Sequence, residues 1–264
     1  MTNSLTLPLL LHNSWSMTMR HLRALARQPA YIVITLVQPI VWLLLFGALF
    51  RKVVEIPGFA AGSYLEFLTP GVVVMTALFT NGWSGMTIIE DLDAGIMDRF
   101  LVTPTRRGAL MNGLLVQQAV IDVVQSLLIV GLALIAGARF DGGVVGVLVL
   151  ITAATLLGLS FSSFSNALSL VLRTRESVIG IVQFVTLPAT FLSAAVMQPD
   201  LAPGWIQTIA RYNPVNWAVV AGREALSTNP DWSFVLIRMV GLVALAIICA
   251  SLSTWSFRAY QRSI

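Results

Sequence analysis

The sequence predicts an all-α membrane protein, one domain over residues 1–264 with six transmembrane helices. Three observations predict it. Hydrophobic residues make up 57% of the chain and charged residues only 11%, against about 25% charged in an average soluble domain. Mean hydropathy is +0.84. The apolar residues also gather into six runs of about 20 residues or more, the length a helix needs to cross a bilayer core.

The six runs are Tyr31–Phe50, Thr69–Ile89, Leu110–Ala138, Val144–Leu172, Ser177–Met197 and Phe234–Phe257. They are expected as helices because lipid satisfies no backbone N–H or C=O group. Six spans put both termini on one side. That side collects Arg20, Arg23, Arg27, Arg99, Arg106, Arg107, Arg173, Arg175, Arg258 and Arg262; the other collects Arg51, Lys52, Arg139, Arg211, Arg223 and Arg238. The positive-inside rule makes the first set cytoplasmic. The expectation is a multi-pass protein of the cell membrane with both termini in the cytoplasm. The short apolar run Leu7–Leu11 has no positive residue before it and does not read as a cleavable signal.

Before the first span, residues 12–28 have helical spacing. Trp15, Met19, Leu22 and Ala26 share one stripe, and Arg20, Arg23 and Arg27 a neighbouring one. Asn13 or Ser14 is placed to cap the start, and Pro29 ends it. The pattern fits an amphipathic helix in the headgroup plane with its arginines near anionic lipid. A short cytosolic helix with a solvated basic face is the plainer alternative.

Residues 198–233 are too interrupted by proline to form a span and too rich in Trp, Ile and Val for a solvated loop. Short re-entrant half-helices in the outer leaflet fit, with Trp205, Tyr212, Trp217 and Trp232 at headgroup depth. A surface amphipathic loop is the alternative. No internal repeat is visible.

Several chemistries are excluded. The only lysine, Lys52, follows Arg51, so no phosphate-binding loop of the form G-x-x-x-x-G-K-[ST] exists. Neither H-E-x-x-H nor G-x-S-x-G occurs. Two histidines and one cysteine, Cys249 inside an apolar run, suggest neither a metal site nor an intrachain disulfide. The basic residues form no aromatic-interleaved patch, which argues against nucleic acid.

Polar residues inside spans are candidates for function, because ionisable groups at membrane depth are costly. Gln118, Asp122 and Gln125 share a face of the third span; Ser162, Ser165, Asn166 and Ser169 share one of the fourth; Gln38, Asn81 and Gln183 stand isolated. Interhelical hydrogen bonding and a substrate-facing or proton-handling role for Asp122 both remain open. Gly142 and Gly146 form a G-x-x-x-G at the mouth of the fourth span, a packing signal.

The densest charge lies in residues 90–108. Ile89, Leu92, Ile96 and Phe100 fall at helical spacing, with acids on the other faces. Glu90, Asp91 and Asp93 are expected to begin this helix, where the macrodipole favours negative charge, and Pro104 to stop it. Such a helix on the cytoplasmic face suits docking to a soluble partner; a solvated loop anchored by Arg106 and Arg107 is equally open.

The segments EDLDAGIMDRFLVTPTRR and RYNPVNWAVVAGREAL, within this six-span layout, resemble permease subunits of second-class ABC-type exporters, close to the daunorubicin-resistance permeases. The resemblance implies that Glu90–Pro104 is a coupling helix against a nucleotide-binding subunit. Glu90, Asp91, Asp93, Asp98 and Arg99 would then be its coupling charges, with Arg20, Arg23 and Arg27 on a connecting helix beside it. It implies two ATPase subunits holding ATP and Mg, a second permease copy or paralogue, and no catalysis or bound cofactor in this chain. Its outer segment would carry Asn213, Pro214, Trp217 and Arg223. Amphipathic drugs, lipids or glycolipids would be exported, with Gln118, Asp122, Gln125, Ser162 and Asn166 as a possible path. A proton-coupled stand-alone transporter using Asp122, a lipid-acting membrane enzyme and an assembly subunit are the competing readings.

Overall fold

The computed structural model describes residues 37–50, 63–94, 108–196 and 202–262. Every regular element among them is helical, and no strand occurs. Helix α1 is Val37–Leu49, α2 Tyr64–Gly82, α3 Gly85–Asp93, α4 Gly108–Ile135 and α5 Gly143–Leu172. Then come α6 Arg175–Phe191, α7 Gly204–Tyr212, α8 Pro214–Ala225 and α9 Trp232–Arg262.

Four helical stretches are long and apolar enough to cross a membrane: Tyr64–Asp93, Gly113–Ile135, Gly143–Leu172 and Trp232–Phe257. They account for the second, third, fourth and sixth expected spans. The first expected span falls partly outside the described residues, and α1 is its apolar remainder. The interfacial helix expected over residues 12–28 lies outside them altogether.

The fifth expected span is corrected at its end. Helix α6 stops at Phe191 rather than Met197, where side chains at the start of α8 take over its backbone groups. The Asn213 amide donates to the carbonyls of Ala189 (2.6 Å) and Leu192 (2.9 Å). The Asn216 carbonyl oxygen accepts from the Ala194 N–H (2.9 Å). Side chains thus replace the helix ladder where the chain turns away, as apolar surroundings demand.

Helix α5 is the hub. It packs against α2, α3, α4, α6, α8 and α9. Its buried face runs through Gly146, Ala153, Ala154, Gly158, Ser162, Ser165 and Ser169, and small residues of this kind let helix backbones approach closely. At its Gly143 end the G-x-x-x-G glycines receive a partner. The Ala225 carbonyl at the end of α8 sits against the Cα positions of both Gly142 and Gly146, where a Cβ would collide with it. The Gly142 N–H donates to the Leu226 carbonyl (3.0 Å).

Helices α2 and α3 are one span with a break at Trp83–Ser84. The Ser165 hydroxyl of α5 enters the break. It accepts from the Gly85 N–H (3.1 Å) and donates to the Gly82 carbonyl (2.6 Å). An inserted side chain of this kind is a recognised cause of helix kinks.

Candidate functional site

Three groups of candidate residues come together in the fold. The first is a polar core between α2, α4 and α5. Asp122 is 1% exposed and Asn81 0%. The Asn81 amide donates to Asp122 Oδ1 (2.7 Å) and to the Ala77 carbonyl (2.8 Å). Gln118 Nε2 donates to Asn81 Oδ1 (3.3 Å), and the Thr80 hydroxyl to Gln125 Oε1 (3.2 Å). Asn81 is therefore not isolated, as the sequence suggests, but the centre of the network: its partners lie 37 and 41 residues away. Asp122 Oδ2 makes no hydrogen bond among the described residues. Both side chains fit against α5 only because residue 158 is glycine, where a Cβ would lie 2.5 Å from Asp122 Oδ2 and 2.6 Å from Asn81 Nδ2.

The second group is a serine seam from α5 to the break between α2 and α3. Ser84 Oγ lies 2.9 Å from Ser162 Oγ and donates to Asn166 Oδ1 (3.1 Å). Ser162, Ser165, Asn166 and Ser169 are all buried. The serine face of α5 thus meets α3, while the Gln118–Asp122–Gln125 face of α4 meets α2. Sequence reasoning missed Ser84, although Asn-Gly-Trp-Ser-Gly is dense in helix-weakening residues.

The third group is the charged end of α3. Here the expectation of a helix start is corrected. Glu90, Asp91 and Asp93 stand in the last turn of α3, the end where the macrodipole disfavours acids. The apolar period of Ile88, Ile89 and Leu92 simply continues the span. Arg175, the first residue of α6, compensates. Its guanidinium lies 3.2 Å from Asp93 Oδ2 and 3.9 Å from Glu90 Oε1. Arg175 is itself at the end of α6 where a cation is disfavoured, so each helix carries a locally mismatched charge that the other offsets. The turn feeding Arg175 is tight, with Arg173 in the left-handed region at φ 56°. Asp98, Arg99, Arg20, Arg23 and Arg27 lie outside the described residues.

At the opposite end of the bundle stand α7 and α8. Asn213 caps α8, accepting from the Val215 N–H (2.9 Å), with Pro214 as the first helical residue. The Arg223 guanidinium stacks on the Phe67 ring (3.6 Å to its centroid) and donates to the carbonyls of Phe67 (3.0 Å) and Ala194 (2.9 Å). It ties α8 to α2 and to the turn after α6. Trp217 is half-buried, with its indole N–H on the Arg211 carbonyl (2.7 Å), whereas Trp205, Tyr212 and Trp232 are exposed.

Comparison with known proteins places this arrangement. The family model described as ABC-2 type transporter matches residues 12–227, a stretch that takes in the three groups and helices α7 and α8. The chain is 32% identical over 231 residues to the daunorubicin resistance ABC transporter permease protein DrrB1 of Streptomyces coeruleorubidus, covering 86% of this chain and 80% of that one. It is 29% identical over 214 residues to the putative transport permease ycf38 of Cyanophora paradoxa, covering 80% and 72%. It is 22% identical over 233 residues to the probable doxorubicin resistance ABC transporter permease protein DrrC of Mycobacterium tuberculosis, covering 88% and 83%. With its family model matched across most of its length, the chain belongs to the ABC-2 type transporter family.

Proposed function

We propose that the chain is the membrane-spanning permease of an ATP-driven exporter that moves amphipathic drugs, lipids or glycolipids out of the cytoplasm. The observation that carries the reading is the family match over residues 12–227, joined to relatives named as resistance permeases. As a permease subunit the chain is not an enzyme. ATP and Mg belong to two partner ATPase subunits, and a second permease, identical or paralogous, completes the membrane path. In this reading the chain crosses the membrane six times with α1 and α6 among the spans, both termini face the cytoplasm, and α7 and α8 are re-entrant in the outer leaflet.

The charged stretch 90–108 is the coupling segment. ATP-driven closure of the partner subunits pushes on it, and the motion enters the bundle at the end of α3, where Glu90 and Asp93 meet Arg175. Nucleotide shifts the inward–outward equilibrium only through its differential affinity for the two states. The test is purification of the tagged protein in mild detergent from its native cells, with mass spectrometry of what co-purifies. An ATPase bearing a phosphate-binding loop, released by reversing the charges of Glu90 and Asp98, is the expected result. Transport in vesicles with no ATPase present would overturn the reading.

One observation favours a second reading: Asp122 Oδ2 is buried and makes no hydrogen bond among the described residues. A stand-alone proton-coupled transporter would use such a carboxyl. It requires proton-driven transport in ATPase-free vesicles that Asp122→Asn abolishes.

A further inference from the structure

We infer that a polar pocket between α3, α4 and α5 binds the uncharged, hydrogen-bonding head of the exported amphiphile and discriminates against phosphate-bearing heads. The inference rests on the permease reading and narrows its substrate class. The pocket is a cavity of about 80 Å³ lined by Ser84, Thr87, Leu114, Gln117, Gln118 and Asn166. One ordered water needs about 10–15 Å³ of such cavity space, so the pocket holds more than a single water and suits the polar tip of a larger molecule, a hydroxymethyl or carboxamide group.

Five of the six lining side chains are polar, in a bundle whose surroundings are hydrocarbon. Two of them are pinned at one atom. Gln118 Nε2 bonds Asn81, and Asn166 Oδ1 accepts from Ser84. Gln118 Oε1, Asn166 Nδ2, the Thr87 hydroxyl and the Gln117 amide make no hydrogen bond among the described residues. Two donors-or-acceptors held rigidly and two adjustable ones are a preorganised set for hydroxyl or amide groups.

Charge supplies the discrimination. Phosphate recognition uses Arg, Lys or a helix N-terminus, and among the described residues no Lys or Arg lines the cavity. The ionisable side chain tied to it, through Gln118 and Asn81, is the acid Asp122. A negative head brought into this low-dielectric region meets an acid and, among the described residues, no cation.

The test uses inverted membrane vesicles carrying the Cys249→Ala/Gln117→Cys protein with its native partners. Cys249 is the only native cysteine. A water-soluble maleimide is expected to label the new thiol. Decyl glucoside below its micelle threshold should slow labelling about tenfold, the equivalent of one or two neutral hydrogen bonds. Decyl phosphate at the same concentration should leave the rate unchanged, and adding Thr87→Val should weaken the glucoside's protection. Equal protection by both probes, protection by neither, or a thiol that resists labelling overturns the inference. The labelling needs no ATP, so those outcomes leave the permease reading intact. Conversely, absence of a co-purifying ATPase removes that reading without altering the protection result.

Discussion

Gly158→Ala should be among the most disruptive single-methyl additions in this protein, and the structure sets its size. The new methyl would lie 2.5 Å from Asp122 Oδ2, 2.6 Å from Asn81 Nδ2 and 3.2 Å from Asn81 Cγ. Helix α5 cannot simply recoil, since it is packed against α6, α8 and α9 as well as against α2 and α4. Asp122 and Asn81 must part, and the 2.7 Å bond between them is lost. Overpacking costs about 1–3 kcal/mol. An interhelical hydrogen bond in a membrane adds about 0.6 to 1.7 kcal/mol. The helix preference for alanine over glycine returns about 1 kcal/mol. The net is a destabilisation of about 0.6–3.7 kcal/mol.

Gly131→Ala is the matched control, because a Cβ there meets nothing within 4 Å. It should be neutral or stabilising by up to about 1 kcal/mol. Unfolding in mixed micelles with increasing dodecyl sulfate, followed by tryptophan fluorescence, measures both. Removing the obstructing side chain first should blunt the effect: Gly158→Ala should cost less on an Asn81→Ala background than on the natural sequence, a non-additivity expected of touching residues. Equal midpoints for Gly158→Ala and Gly131→Ala, or strict additivity with Asn81→Ala, would refute the packing argument.

Three further outcomes are expected. Arg175→Glu should lower ATP-dependent transport about fivefold or more, the lower end of typical coupling strengths, with little change in unfolding midpoint because exposed pairs contribute under about 1 kcal/mol; the double exchange with Asp93→Arg, which rebuilds the shorter of its two ion pairs and leaves Glu90 in place, should restore part of the transport. Asn213→Ala loses the cap of α8 and both bonds to the end of α6 and should destabilise by about 2–3 kcal/mol in the same micelle titration. Arg223→Met should destabilise by about 2–4 kcal/mol through the loss of two charge-assisted bonds, while Arg223→Lys, lacking the planar fork, should fall between; identical midpoints for Met and Lys would assign the effect to packing on Phe67 alone.

Much of the helical layout is legible from hydropathy, because each long helix must be apolar along its own length. What fails is whatever depends on a residue far away in sequence. Asn81 reads as a lone amide, and only the fold brings Gln118 and Asp122 to it. The break at Trp83–Ser84 has a local signal in its flanking glycines, yet its stability comes from Ser165, 80 residues on. Glu90, Asp91 and Asp93 read as a helix start because acids favour that end. They instead finish a helix whose apolar period runs through them, and the price in dipole energy is offset by Arg175, a residue of another helix. Asn213 is visible as part of an Asn-Pro pair, and the structure gives it the cap of α8. Its second role, closing the open end of α6, requires knowing that α6 stops there.

These distant contacts share one carrier. Helix α5 is 30 residues long, about 45 Å at the rise of an α-helix. Near its Leu172 end Ser165 and Asn166 hold the break that leads into the charged end of α3. At its Gly143 end Gly142 and Gly146 hold the carbonyl that closes α8. Both junctions are made through small residues at backbone distance, where sliding would force collisions rather than easy repacking. Displacement delivered to α3 is therefore better relieved by moving α5 as a rigid body than by slipping along it, and a rigid α5 takes α8 with it. Arg223 and Asn213 in turn bind α8 to α2 and to the end of α6. On this geometry the charged end of α3 and helix α8 are two ends of one lever, which is why Arg175→Glu should impair transport without loosening the fold, while Asn213→Ala should loosen the far end of the same connection.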